Sequence, residues 1–244
     1  MDSDVRGVTS VDDELFVLLN QKDNQVAVYS IDDYQLLHYI NLPEFRPDIN
    51  NDITSCVRHK CLYMSDTDNS CIHRYDLASR ATSKWPVRDE PRGLSVTPSG
   101  NLLVACHDAL LELSADNGQS VREITLQSDI VSLYHSVKLT TGQYVLCHGL
   151  NSSLHRVCVI GDDGKVTRSY GQLNYPYHLA VDEDSQFIFV ADCSNNRVVL
   201  LSPTLEFVRY VSGGLSFPWR LYFHQATRRL FVGEAGGAVT VIQL

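Results

Sequence analysis

Cysteine and histidine have the most specific chemistry in this sequence, and they recur in pairs. Cys106-His107 and Cys147-His148 hold the same place in two stretches of similar pattern, where a third has Asp192-Cys193. Thiolate and imidazole are soft and borderline metal ligands, so adjacent copies presenting them could approach one ion. No CxxC or HxxxH spacing supports this, and buried free cysteine is common, so these pairs are expected to be packing residues. A second group, Cys56, His59, Cys61, Cys71 and His73, has the composition of a zinc site. Strand alternation puts Cys71 and His73 on one sheet face but leaves Cys61 on another strand in open register, so no metal and no cofactor is expected there.

The elements that must position such residues are short strands. Residues 175–214, YPYHLAVDEDSQFIFVADCSNNRVVLLSPTLEFVRYVSGG, contain four apolar runs separated by Asp, Asn, Ser, Pro or Gly, the pattern of a four-stranded antiparallel meander. Its strands are apolar at nearly every position, which implies burial on both faces and neighbours of the same kind. The rhythm repeats over residues 5–42, 53–87, 91–127, 129–172 and 217–244. The second copy follows a polar insertion, PEFRPDINND, and the last supplies three strands. Gly7, Gly93, His178 and Arg220 occupy equivalent places at about 40 residues or multiples of it, and four strands per period of that size mark a β-propeller. The expected fold is all-β, one propeller domain of six blades with no helix, the last blade three-stranded with an exposed edge. An amino-terminal strand commonly seals such a ring, so a further upstream segment is also expected.

Composition agrees with a folded chain: 244 residues, 44% hydrophobic and 20% charged. No apolar run is long enough to span a membrane, and the start has no signal-peptide pattern. Seven cysteines spread through predicted strands do not form a secreted disulfide framework, so a cytoplasmic, reducing setting is expected. The net charge of −9 works against a general phosphate-binding surface.

Three copies open with Pro91-Arg92-Gly93-Leu94, Pro176-Tyr177-His178-Leu179 and Pro218-Trp219-Arg220-Leu221, and the fifth continues VADCSNNRVVLL. This resembles the NHL repeat, similar to the carboxyl-terminal domain of tripartite-motif proteins. WD40 and kelch patterns fit less well, lacking the Trp-Asp dipeptide and the aromatic spacing of those repeats. The resemblance implies a recognition domain without catalysis that binds a protein or peptide, with substrate selection for a ubiquitin ligase as its extension; RNA binding is the alternative it implies. Peptide-amidating lyases resemble NHL proteins but hold zinc through His after the opening Pro, where this chain has Arg92, Tyr177 and Trp219. No calcium set of the lactonase kind can be assembled, and no G-x-S-x-G elbow occurs.

Because strands alternate in direction, the connections into first strands and those between second and third strands share one mouth. Arg6, Arg92, Tyr177, His178, Trp219 and Arg220 are therefore the expected ligand-binding residues, since Arg, Tyr and Trp bring large area and a polar handle. The competing use of the same side chains is to pack on one another and plug the channel. Asp66, Asp192, Asn195 and Asn196 are expected to be turn architecture, the acids accepting backbone N–H bonds within their own loops. A basic run of Arg74, Arg80, Lys84, Arg88 and Arg92 would serve the RNA alternative, against nearby acids Asp66, Asp68, Asp89, Glu90 and Glu234.

Overall fold

The computed structural model describes residues 4–19, 24–46, 48–149 and 154–244. Its strands form six antiparallel meanders in chain order. Blade 1 is β1 (Val5–Val11), β2 (Glu14–Leu19), β3 (Gln25–Ser30) and β4 (Leu36–Asn41), and blade 2 is β5 (Ile53–Cys56), β6 (Cys61–Asp66), β7 (Cys71–Asp76) and β8 (Thr82–Pro86). Blade 3 is β9 (Leu94–Val96), β10 (Leu102–Ala105), β11 (Ala109–Leu113) and β12 (Ser120–Thr125), and blade 4 is β13 (Leu133–Lys138), β14 (Tyr144–His148), β15 (Arg156–Ile160) and β16 (Val166–Tyr170). Blade 5 is β17 (Pro176–Val181), β18 (Ile188–Asp192), β19 (Arg197–Leu201) and β20 (Phe207–Gly213). Blade 6 has three strands, β21 (Pro218–His224), β22 (Arg229–Glu234) and β23 (Val239–Gln243).

The first strands form the inner ring: β1 packs on β5, β5 on β9, β9 on β13, β13 on β17, β17 on β21, and β21 on β1. Each gap between neighbouring blades is filled by its own apolar cluster. Phe16 and Val26 meet Leu62 and Met64 between blades 1 and 2, and Val8 and Val17 meet Phe231 between blades 1 and 6. This is why the central strands read as continuous apolar runs. A side chain on either face of a blade meets the next blade, and burying a Leu, Val or Phe contributes roughly 1.5–3 kcal/mol. The outermost strands touch one neighbour only and are largely exposed, as β4 and β12 show.

Among the described residues β23 pairs with β22 alone, and beside it Leu15, Val17, Leu19, Tyr29, Tyr34, Val239 and Val241 line a cavity of about 280 Å³. The expectation of no helix needs one correction. Residues Cys193–Asn195 form a single 3-10 turn, closed by Asn196 in the left-handed region at φ 53. Among the described residues no helix is long and apolar enough to cross a membrane.

Candidate functional site

In each blade a pair of residues stands at the start of the inner strand or just before it, and the second of the pair is Gly7, Asp52, Gly93, His135, His178 or Arg220. In blades 1, 4, 5 and 6 the ladder slips at this point, between Val5 and Gly7, Leu133 and His135, Pro176 and Leu179, and Pro218 and Arg220. A bulge bends the strand and re-aims its side chains, which suits a place where six strands converge. The two glycines keep the centre open. A Cβ on Gly93 would collide with the Tyr134 carbonyl oxygen and lie 2.7 Å from His135 Cα and Cδ2. Gly93→Ala is therefore expected to destabilise the protein by about 1–3 kcal/mol, the usual range for overpacking, and to displace His135. Urea unfolding checks the first, and the His135 imidazole resonances check the second.

Asp52 is the hub of the cluster. Its Oδ1 accepts the Ile53 N–H at 2.9 Å and lies 3.5 Å from Arg220 Nε. Its Oδ2 accepts the Leu94 N–H at 2.9 Å and His178 Nε2–H at 3.2 Å, with His135 Nε2 at 3.7 Å. Arg220 also donates to the carbonyls of Arg6 at 2.6 Å and Asn51 at 2.7 Å. The rings of His135 and His178 stack with centroids 3.6 Å apart. All four side chains are buried. Burial disfavours the Asp52 charge, yet the hydrogen bond from His178 and the charge of Arg220 outweigh it and hold the carboxyl below its ordinary range. Burial pushes both imidazoles down and keeps them neutral, and for His135 the neighbouring His178 adds to the effect. The Leu221 N–H donates to His178 Nδ1 at 3.4 Å, and His135 Nε2–H donates to the Leu94 carbonyl at 3.0 Å. His135 Nδ1 is buried with no hydrogen-bond partner among the described residues.

The first residues of the pairs build an aromatic and cationic shell beside this hub. Tyr134 stacks on Tyr177 at 4.4 Å, and Tyr177 meets Trp219 edge-on at 4.9 Å. Arg220 lies over Tyr177 at 4.7 Å, with Arg6 over Trp219 and Arg92 over Tyr134, each at 5.7 Å. Of the six residues expected to bind a ligand, His178 and Arg220 belong to the buried hub, and Arg6, Arg92, Tyr177 and Trp219 form the shell beside it, packed on one another and on the hub. Among the described residues, Arg6 Nε and Nη1, Arg92 Nε and Trp219 Nε1 are buried donors without a partner. Burial and the nearby Arg220 push the Arg6 guanidinium down, partly offset by Asp4.

Asp52 and His135 escape the sequence reading. Asp52 closes the polar insertion PEFRPDINND, which hides the register of the second copy. His135 lies in the weak fourth copy, although Tyr134-His135 repeats Tyr177-His178 and could have revealed it.

The cysteine readings resolve by burial. Cys106 is pushed up to about 12 by burial while His107 is exposed, and His148 accepts a hydrogen bond from Arg156 Nε at 3.0 Å. Cys56 and Cys61 pair in register within an apolar cluster, separated from Cys71 and His73. Among the described residues two groups place three metal-capable donor atoms within 4.8 Å of one another, Asp52-His135-His178 and Asp66-Cys71-His73. Asp66 is the turn residue expected, accepting the Asn69 N–H at 3.1 Å. Asp192 differs: its backbone donor is Asn174 of the preceding loop, at 2.7 Å, and Asn195 and Arg197 donate to it from their side chains. Of the two asparagines only Asn196 is left-handed.

Comparison with protein-family models and with curated protein sequences returns no match. Solved structures do match in shape. A streptogramin B lyase superposes with a TM-score of 0.72 at 14% identity, over 100% of this chain and 84% of the lyase. Hydrazine synthase of Kuenenia stuttgartiensis gives 0.71 at 14% identity, over 98% and 95% of the two chains. A catalytically inactive His-to-Ala variant of virginiamycin B lyase from Staphylococcus aureus, solved with quinupristin, gives 0.72 at 12% identity, over 99% and 85%. At these identities the likeness establishes the six-bladed fold.

These findings correct the NHL and tripartite-motif assignment. The Asp–Asn–Arg signature of the fifth copy ties Asp192 to Asn174, Asn195 and Arg197, local contacts that hold a loop and name no family. They also correct the non-catalytic recognition reading, its ubiquitin-ligase extension and the non-enzyme assignment, because the matching propellers include lyases and the channel holds a metal-capable acid–imidazole group. The RNA alternative goes with them. Arg6 and Arg220 are turned inward at 3% exposure, and Arg74, Lys84 and Arg88 are paired with Asp76, Glu44 and Glu123.

Proposed function

We propose that this chain is an enzyme of lyase or hydrolase type. Its reaction centre is the axial group Asp52, His135, His178 and Arg220, and Arg6, Arg92, Tyr177 and Trp219 hold the substrate at the mouth. The observation that carries this reading is the convergence of a carboxylate, two neutral imidazoles and a guanidinium from four blades on one buried point. Six apolar clusters already hold the blades together, so stability does not call for these groups, and burying charge is costly. The streptogramin B and virginiamycin B lyases lend support, since the same fold carries lyase chemistry there and one His-to-Ala change abolishes it.

Breaking a bond next to a carbonyl requires a proton acceptor and a positive group where oxygen gains charge. The Arg220 guanidinium supplies the positive group. The spacing of Asp52 Oδ2, His178 Nε2 and His135 Nε2 also suits three ligands of one divalent cation, which would polarise a carbonyl. The fit has a cost, because each imidazole must then carry its proton on Nδ1: His135 gives up its bond to the Leu94 carbonyl, and His178 can no longer accept the Leu221 N–H. The orphaned donors of Arg6, Arg92 and Trp219 favour a substrate with a carboxylate or another electron-rich oxygen at the mouth.

The test is a turnover screen of the purified chain against streptogramin B and a set of esters and lactones, with Mg²⁺, Mn²⁺ or Zn²⁺ added. Turnover is expected, falling by about 100-fold or more in His178→Ala, as for loss of a general acid–base group. Mg²⁺ or Mn²⁺ should raise Tm in the native chain and leave His178→Ala unchanged. No turnover on any member of the set together with no metal-dependent change in Tm would overturn the reading.

A further inference from the structure

Blade 2 carries a second constellation, separate from the axial one. Asp66 ends β6 and Cys71 begins β7, directly opposite each other in the register, with His73 two residues further along the same face. Their exposures are 0%, 6% and 1%. His73 Nε2 lies 2.9 Å from Asp66 Oδ2, and the turn residue Asn69 satisfies both carboxylate oxygens. Phe45 meets the His73 ring edge-on at 5.5 Å and screens it with apolar surface.

A comparison within the molecule gives this cluster its meaning. Asp192 holds the same place in blade 5, where the residue paired with it is Arg197, whose Nε lies 2.6 Å from the carboxylate. That buried acid has a permanent cation. Asp66 instead faces a thiol and an imidazole, and Lys84, opposite His73 in the register, is paired with Glu44 at 2.6 Å. The arginine of one blade is thus replaced in another by two metal-ligating side chains. Burial works to raise the Asp66 carboxyl, but the hydrogen bonds from His73 and Asn69 hold it below its ordinary value, so it remains a charged ligand.

We propose that Asp66, Cys71 and His73 form a binding site for a zinc-class divalent cation, which takes the place in blade 2 that Arg197 takes in blade 5. On binding, Cys71 releases its thiol proton to solvent, and His73 exchanges its hydrogen bond to Asp66 for a bond to the metal. One carboxylate and one thiolate then balance the two positive charges, so the buried site is neutral. Thiolate with imidazole selects zinc over magnesium or calcium.

Cobalt(II) is a direct probe, because thiolate ligation adds a near-ultraviolet charge-transfer band that the axial group, which has no sulfur, cannot produce. The reduced full-length chain titrated with Co²⁺ is expected to show this band. Cys71→Ser should remove it, and His73→Gln should weaken binding by about ten-fold or more, the least that even outer-shell partners contribute. His178→Ala should leave the band intact, which separates this site from the axial reading. Cys71→Ala, with circular dichroism as a check on folding, guards against a variant that fails to fold. No charge-transfer band in the native chain, or a band of undiminished strength in folded Cys71→Ser or Cys71→Ala, would overturn the proposal.

Discussion

Asp52→Ala is expected to lower the unfolding free energy by about 3–5 kcal/mol, the range found when one partner of a buried ion pair is removed. The carboxylate accepts from the Ile53 and Leu94 backbones and from His178, and it is the counter-charge to Arg220. Removing it leaves Arg220 buried at 3% exposure beside Arg6, which is also cationic and buried. Urea unfolding at neutral pH measures the effect. Asp52→Asn should cost less, since it keeps an acceptor for the Leu94 N–H. In the Asp52→Ala/Arg220→Met double variant the uncompensated charge is gone, so it should recover part of the loss despite the carbonyls of Arg6 and Asn51 that Arg220 now serves. A loss below about 1 kcal/mol for Asp52→Ala would show that the carboxylate is not the hub of the channel, since a single ordinary hydrogen bond is worth as much.

Acidification below about pH 6.5 is expected to destabilise the protein steeply, well before its carboxylates titrate. His148 is fully buried and accepts from Arg156, which also binds Asp129 at 2.6 Å. Burial, followed by the Arg156 charge, pushes this imidazole down to about 4. The sign follows from linkage. The folded pKa lies below the unfolded value near 6.5, so the stabilisation is complete above pH 6.5 and disappears as pH falls to 4. The loss is on the order of 3 kcal/mol. His224 is also lowered by burial and acts in the same direction, as do the axial pair His135 and His178. Urea midpoints at pH 7.5, 5 and 4 would record the slope, and His148→Gln, which can still accept from Arg156, should flatten it. Equal slopes in the two proteins would exclude His148 as the group responsible.

The sequence by itself determined the blades. Four apolar runs per repeat, punctuated by Asp, Asn, Gly and Pro, carry both the strand count and the two-sided burial, because those are local consequences of alternation and turn chemistry. The three-stranded last blade followed from the same counting. It also marked the mouth, since strand reversal forces Arg6, Arg92, Tyr177 and Trp219 onto one face whatever their use. The tertiary structure alone decided what the mouth contains. Asp52 is an unremarkable acid in a polar insertion until ring closure brings it within 3.2 Å of His178, a residue of a different blade far along the chain. Asp66 and Asp192 look alike in sequence, and only the cross-strand register shows that one faces Arg197 and the other Cys71 and His73. Strand pattern is local information; the charge environment of a buried acid depends on which distant strand the fold sets against it.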